Sequence, residues 1–273
     1  MTIPISHFCE KARWALDRAG VQYVERAHLQ LVHVLAARLA GGGRTVPVFV
    51  SDAGEVLAES ADILRWADIQ VGPERRLYPD GELGADAAAL EAWLDHGLGP
   101  DGRLWMYHET LPVVRELQQW ALAGVPRWER VLFRSSGPAV GIAIRRYLGV
   151  DTASAAAALD RIDRVFDEIA ERVSDGRSFL LGERFTAADL TFAALSAPML
   201  LPARYGSPLP PPEAMPDALA REVRRLRSHP AGAFVDRLYH EQRGRRQALG
   251  TKHAFARQLR PRKGRDVTQR GHP

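Results

Sequence analysis

The hydrophobic period of this chain changes once, between residues 70 and 84, and the change divides any fold it can adopt into two parts. Before it, short runs of different period follow one another. HFCEKARWALDRA has helical spacing, VQYVERAHL is rich in β-branched and aromatic residues, and LQLVHVLAARLA is helical again until Gly41, Gly42 and Gly43 stop it. TVPVFVSDAGEVLAES then reads as two short strands around an Asp-Ala-Gly turn, and SADILRWAD as a helix capped by Ser60. After QVGPERRLYPDGELG, a polar linker bounded by Gly and Pro, only three-four spacing remains, in ADAAALEAWLDHGL, VPRWERVLFR and AAAALDRIDRVFDEIAERV. This order predicts a small mixed α/β domain over residues 1–78, an all-α domain over 84–240 and a tail over 241–273.

Charge separates the tail from the body. From Arg243 onward ten basic residues face one acid, a net +9; with +4 overall, the first 242 residues carry −5. A segment so basic and so poor in apolar anchors is expected to be a solvated, disordered end, and nucleic acid is a partner only through it. The single cysteine, Cys9, rules out an intramolecular disulfide and a cysteine-built zinc site. With no apolar leader after Met1, this points to the cytoplasm. AALSAPMLLPA is too short to cross a membrane.

Residues 7–19 read as an amphipathic helix, with Phe8, Ala12, Ala15, Leu16 and Ala19 on one face and Glu10, Lys11, Arg13, Asp17 and Arg18 on the other. Ser6 suits its N-cap, and Cys9 falls on its first turn. Pro47 interrupts a strand-forming run, so either it sits at a sheet edge or the Val46–Pro47 bond is cis. Glu59 and Ser60 open a helix whose free N–H groups and positive end suit a carboxylate; the plain alternative is a cap and a solvated charge. Thr186 and Asp189 form a capping box, a folding element with no chemistry. Asp95–His96 and His108–Glu109 lack the spacing of a metal site. Trp93, Trp105 and Tyr107 belong to a groove or to the helical core.

SHFCEKARWAL, RTVPVF, LAESADILRW and LLGERFTAADLTFAAL, in this order and on these element types, resemble the glutathione S-transferase superfamily. The likeness implies a thioredoxin-like domain followed by an all-α domain, glutathione as co-substrate, a small hydrophobic electrophile between the domains, and a homodimer. It implies that the backbone of Val46, before a cis Pro47, pairs with the cysteinyl part of glutathione. Ser60 and Glu59 then hold the γ-glutamyl end, Arg44 meets the glycine carboxylate, and Ser6 donates to the thiolate. Redox members carry a cysteine at the position of Ser6; here the order is Ser-x-x-Cys, which leaves a reductase or peroxidase using Cys9 as one alternative. A non-catalytic binding or assembly protein is the other. Only five residues precede Ser6, so MTI supplies a stub of the family's central strand, unless the start lies upstream.

Overall fold

In a computed structural model of the protein, residues 1–249 are described, apart from the side chains of 136–139. The first part runs α1 (His7–Arg18), β1 (Tyr23–Val24), α2 (Val32–Leu39), β2 (Phe49–Val50), β3 (Val56–Leu57) and α3 (Ser60–Asp68), the order expected from the sequence. β2 and β3 pair antiparallel with Phe49 opposite Leu57, around a turn in which Gly54 takes a φ of 86°. The stub before α1 ties two segments together. Met1 donates its ammonium to Val48 O at 2.7 Å and accepts from Val48 N–H at 3.1 Å. On the other side Thr2 N–H donates to Arg26 O at 3.0 Å, and Thr2 O accepts from His28 N–H at 2.9 Å. Adjacent strand residues aim their backbone groups to opposite sides, so two residues suffice.

The second part is helical: α4 (Glu82–His96), α5 (Leu98–Thr110), α6 (Gln118–Ala121), α7 (Arg127–Leu148), α8 (Thr152–Arg172), α9 (Ala187–Leu200), α10 (Asp217–Ser228) and α11 (Pro230–Glu241). Every residue of α9 is buried, Asp189, Thr191 and Ser196 among a majority of apolar side chains, and this helix forms the axis on which the others pack. The expected capping box starts it. Asp189 accepts from Thr186 N–H at 2.8 Å and from Thr186 Oγ1–H at 2.9 Å, and its other oxygen accepts from Leu180 N–H at 2.8 Å.

Three expectations need correction. First, α1 is not amphipathic in its setting. Glu10, Lys11 and Arg13 are at most 1% exposed and Asp17 only 6%, because α3, α9, the carboxylates of α4 and the chain beyond α11 close over them. Second, Glu59 is the N-cap of α3 and makes no side-chain cap bond, while Ser60 is the first helical residue. Third, residues 241–249 do not open a solvated tail. Arg243 is 4% exposed and pairs with Glu10 at 2.8 Å and Asp17 at 2.9 Å. Gln247 N–H donates to Asp17 at 2.6 Å, and β4 (Ala248–Leu249) pairs parallel with β1. The rest of the expected tail lies outside the described residues. The linker is docked as well: Asp68 accepts from Leu77 N–H at 2.5 Å and Tyr78 N–H at 3.3 Å, and Leu77 O accepts from Ala187 N–H at 3.0 Å.

Two buried ionic clusters hold α1 to its neighbours. In one, Lys11 meets Glu91 at 2.7 Å and Asp95 at 2.5 Å, and Glu91 also takes Arg65 at 3.0 Å and Tyr78 O–H at 2.6 Å. In the other, Arg13 reaches Glu25 at 2.8 Å and Ile3 O at 3.2 Å, beside Glu10, Asp17 and Arg243. At the N-terminus of α1 the approach to α5 is close enough to require a glycine. A Cβ on Gly99 would lie 2.4 Å from Phe8 Cζ. There His7 Nε2 lies 3.0 Å from Gly99 O; since a carbonyl only accepts, Nε2 carries the proton.

Two outcomes follow from these contacts. Arg243→Met removes the cation from two buried carboxylates, and urea unfolding should show a loss of about 3–5 kcal/mol. The triple variant Glu10→Gln/Asp17→Asn/Arg243→Met should lose clearly less; equal loss in both would show that packing, not charge, is what Arg243 supplies. His7 gives a pH signature. Burial first, and the nearby Arg103 second, bring its pKa from 6.5 down to about 3. The unfolded chain therefore binds the extra proton across that window, and stability falls as pH drops from about 6.5 toward 3. Between pH 7 and 5 the loss from this group is roughly 2 kcal/mol. His7→Gln keeps a donor for Gly99, and its acid sensitivity over that interval should shrink by about that amount; an unchanged difference would refute the assignment.

Candidate functional site

A cleft of about 780 Å³ opens between the first part and the helices. Six residues singled out in the sequence line it together: Ser6, Arg44, Val46, Pro47, Glu59 and Ser60. Three local structures put them there. The first is the mouth of α1. Ser6 has an extended backbone (φ −71°, ψ 125°), and its Oγ accepts from Cys9 N–H at 3.4 Å. That bond uses one lone pair. A hydroxyl also has a proton to donate, and the described residues offer it no acceptor, so cap and cleft donor are compatible roles for one side chain.

The second is the segment before β2, where the Val46–Pro47 bond is cis. Val46 is half-buried on the cleft wall, and among the described residues its N–H and C=O take no hydrogen bond. An extended ligand can pair with both. The third is the start of α3. The N–H groups of Ser60, Ala61 and Asp62 are unengaged among the described residues, and Ile63 N–H is the first to close a helical bond, to Glu59 O at 3.1 Å. Such an end binds a carboxylate through its free N–H groups and dipole. Ser60 is buried against it, and Glu59 is exposed beside it, placed to meet an ammonium. Arg44 stands exposed at the rim with no ion pair among the described residues.

Cys9 is not part of this cleft. It is free, 0% exposed and turned into the core, so the thiol of the redox alternative is out of reach of any substrate in the cleft. Trp105 is a core residue, Trp93 is 39% exposed, and Tyr107 lines the cleft. Asp95 is spent on Lys11, and His108 pairs with its own neighbour Glu109 at 2.8 Å.

Of the opposite wall, the sequence singles out Tyr107 alone, as a residue of a groove or of the helical core. Gly99, Arg103 and Tyr107 succeed one another at four-residue spacing on α5, and Arg103 and Tyr107 face the cleft with Met106 and Thr110. That stripe can be read from the chain, but a lone arginine in it has no signature until the fold shows what it faces. Tyr107 shares a hydrogen bond with the side chain of Gln30, and burial holds its phenol above the ordinary pKa. Leu31, also on the wall, has φ 72° and ψ −46°, a backbone conformation that costs a non-glycine residue on the order of 1–3 kcal/mol.

Residues 1–75 match the glutathione S-transferase N-terminal domain family and residues 152–205 the glutathione S-transferase C-terminal domain family. No curated protein sequence matches the chain. Among solved structures, the chain is similar to a glutathione S-transferase from Xanthobacter autotrophicus Py2, with 20% identity, 89% of this chain and 93% of that one covered, and a TM-score of 0.54. It is also similar to a glutathione S-transferase from Pseudomonas fluorescens Pf-5 (15% identity, 89% and 96% covered, TM-score 0.52). A glutathione S-transferase domain-containing protein from Marinobacter aquaeolei VT8 gives 18% identity, 83% and 95% covered, and a TM-score of 0.51. Both domain families match in the expected order, on a thioredoxin-like part followed by helices, and the chain belongs to the glutathione S-transferase superfamily.

Proposed function

We propose that the chain is a glutathione transferase that binds glutathione along the first wall of the cleft and joins its sulfur to an electrophile held against the second. One observation carries this reading: the Ser6 hydroxyl, the unpaired backbone of Val46 and the open N-terminus of α3 share a single cleft. The γ-glutamyl carboxylate docks on the N–H groups of Ser60 and its neighbours, with the amine at Glu59. The cysteinyl backbone pairs with Val46, and the glycine carboxylate meets Arg44. This leaves the sulfur at Ser6, on the positive end of α1.

Ser6 does not attack. Its hydroxyl donates to the thiolate, a charge-assisted bond worth roughly 1.5–3 kcal/mol, which lowers the thiol pKa by about one to two units. The thiolate forms the new C–S bond; in a substitution the leaving group departs with its electron pair, and in an addition the acceptor carbon takes a proton from water. The first domain, 1–78, supplies the glutathione wall, and the second, 84–240, the electrophile wall. No helix among the described residues is long and apolar enough to cross a membrane, and we place the reaction in the cytoplasm, carried out by a homodimer whose mass in solution checks that assignment.

Calorimetric titration with glutathione tests the binding, and at a hundred times the dissociation constant the fold should gain about 2.7 kcal/mol. Ser6→Ala should raise the pKa of the bound thiol by about one unit or more, read as thiolate absorbance against pH, with little change in affinity. Cys9→Ala should leave conjugation intact. No heat and no thermal shift with glutathione would end this reading; binding without turnover of any electrophile would favour a non-catalytic binding protein; activity lost with Cys9 alone would favour the redox alternative.

A further inference from the structure

Among the described residues Arg103 is a cation without a counter-ion. Its place on α5 is set by the junction at Gly99, where the missing side chain lets Phe8 and His7 of α1 come close. One helical turn further on, Arg103 stands half-buried on the cleft wall, and among the described residues it makes no hydrogen bond and no ion pair. His7, beside it, is uncharged at neutral pH, and Tyr107, a turn on, is a neutral phenol bonded to Gln30. Of all residues lining the cleft the one carboxylate is Glu59, at the mouth of α3 on the other wall. The same cleft is lined by apolar Met106, Leu117, Trp120 and Ile144 from the second part.

Partly desolvating a guanidinium among apolar side chains is unfavourable unless its donors are met, and here five N–H groups remain for a ligand. Glutathione does not need them, since its two carboxylates have the start of α3 and Arg44. We propose that Arg103 is a specificity-determining residue that pairs with a carboxylate on the electrophile, so that the second substrate is an apolar molecule bearing one anionic group. A fork of parallel N–H donors fits a carboxylate in two-bond geometry, which orients the electrophile as well as holding it. This rests on the glutathione reading of the same cleft.

The test uses product-like ligands and needs no turnover. S-benzylglutathione and S-(4-carboxybenzyl)glutathione are titrated calorimetrically into the full chain, its Arg103→Leu variant and its Arg103→Lys variant, with melting curves to confirm folding. The wild type should bind the carboxylated conjugate about tenfold tighter or better, as a charge-assisted bond implies. Arg103→Leu should bring that ratio near one while leaving the affinity for S-benzylglutathione unchanged, and Arg103→Lys should keep part of the preference. A ratio of one in the wild type overturns the proposal, as does a preference that survives in Arg103→Leu. Equal loss for both conjugates in Arg103→Leu overturns it too, since the arginine would then be holding the glutathione half. If the wild type binds S-benzylglutathione and glutathione not at all, it is the glutathione reading that has failed.

Discussion

Everything in the cleft depends on the burial of α1 with its charges. Four ionisable residues of one short helix, Glu10, Lys11, Arg13 and Asp17, lie away from water, and each is met by an opposite charge from another element. Taking an ion pair out of water costs several kcal/mol per ion and is recovered only where the geometry is good and the remaining groups are bonded. Such pairs are a poor source of net stability. What they supply is restriction: α1 can be turned or slid only by leaving a buried charge unpaired. The partners lie on α4, the chain around Glu25 and the segment after α11, and Arg65 of α3 joins through Glu91, so the helix is referenced to both parts of the fold at once.

That restriction reaches the site because Ser6 is the N-cap of the same helix. The position of its hydroxyl is fixed by the helix axis, the helix axis by the ionic clusters, and the opposite wall by the contact of Phe8 and His7 with Gly99. The stub Met1–Ile3 adds a further tie, since it links the chain before Ser6 to Val48, next to the cis Val46–Pro47 bond. The hydroxyl, the free backbone of Val46 and the start of α3 are thus three ends of short, mutually anchored elements, which is what preorganised binding of one extended ligand requires.

The fold was readable where local pattern and tertiary setting agree. The order of elements, the hairpin turn at Gly54 and the capping box at Thr186 and Asp189 rest on short-range signals, turn residues and caps. The residues of the first wall come instead from the resemblance to the glutathione S-transferase superfamily, because locally Glu59 and Ser60 read equally as a solvated charge and a cap. What misled was α1. Charges at helical spacing ordinarily mark a solvent face, and nothing local in Glu10, Lys11, Arg13 or Asp17 shows that Glu91, Asp95, Glu25 and Arg243 come to meet them. The same blindness hid Arg243 in a run of basic residues. Composition describes a segment by its average, whereas docking depends on one side chain finding two carboxylates. Ser60 was displaced by one position because Glu59, a weaker cap, turns the chain before it.

The charge pattern of the cleft agrees with the proposed reaction, in which a bound thiol and not Cys9 is the nucleophile. A thiolate needs a partly exposed, electropositive place. Such a place exists at the mouth of α1, on the positive end of the helix, but the residue standing there is Ser6, while Cys9 lies a turn inside and out of contact with the cleft. His7 sharpens the arrangement by being neutral: a protonated imidazole at that point would compete with Arg103 for any anion and would have to be buried as a charge. In the proposed reading the sulfur therefore comes from a ligand, since the cleft holds a hydroxyl donor and, among the described residues, no reachable thiol. The first wall accordingly offers backbone and helix-end groups that suit a peptide, and the second offers apolar surface and, among the described residues, Arg103 as its one cation.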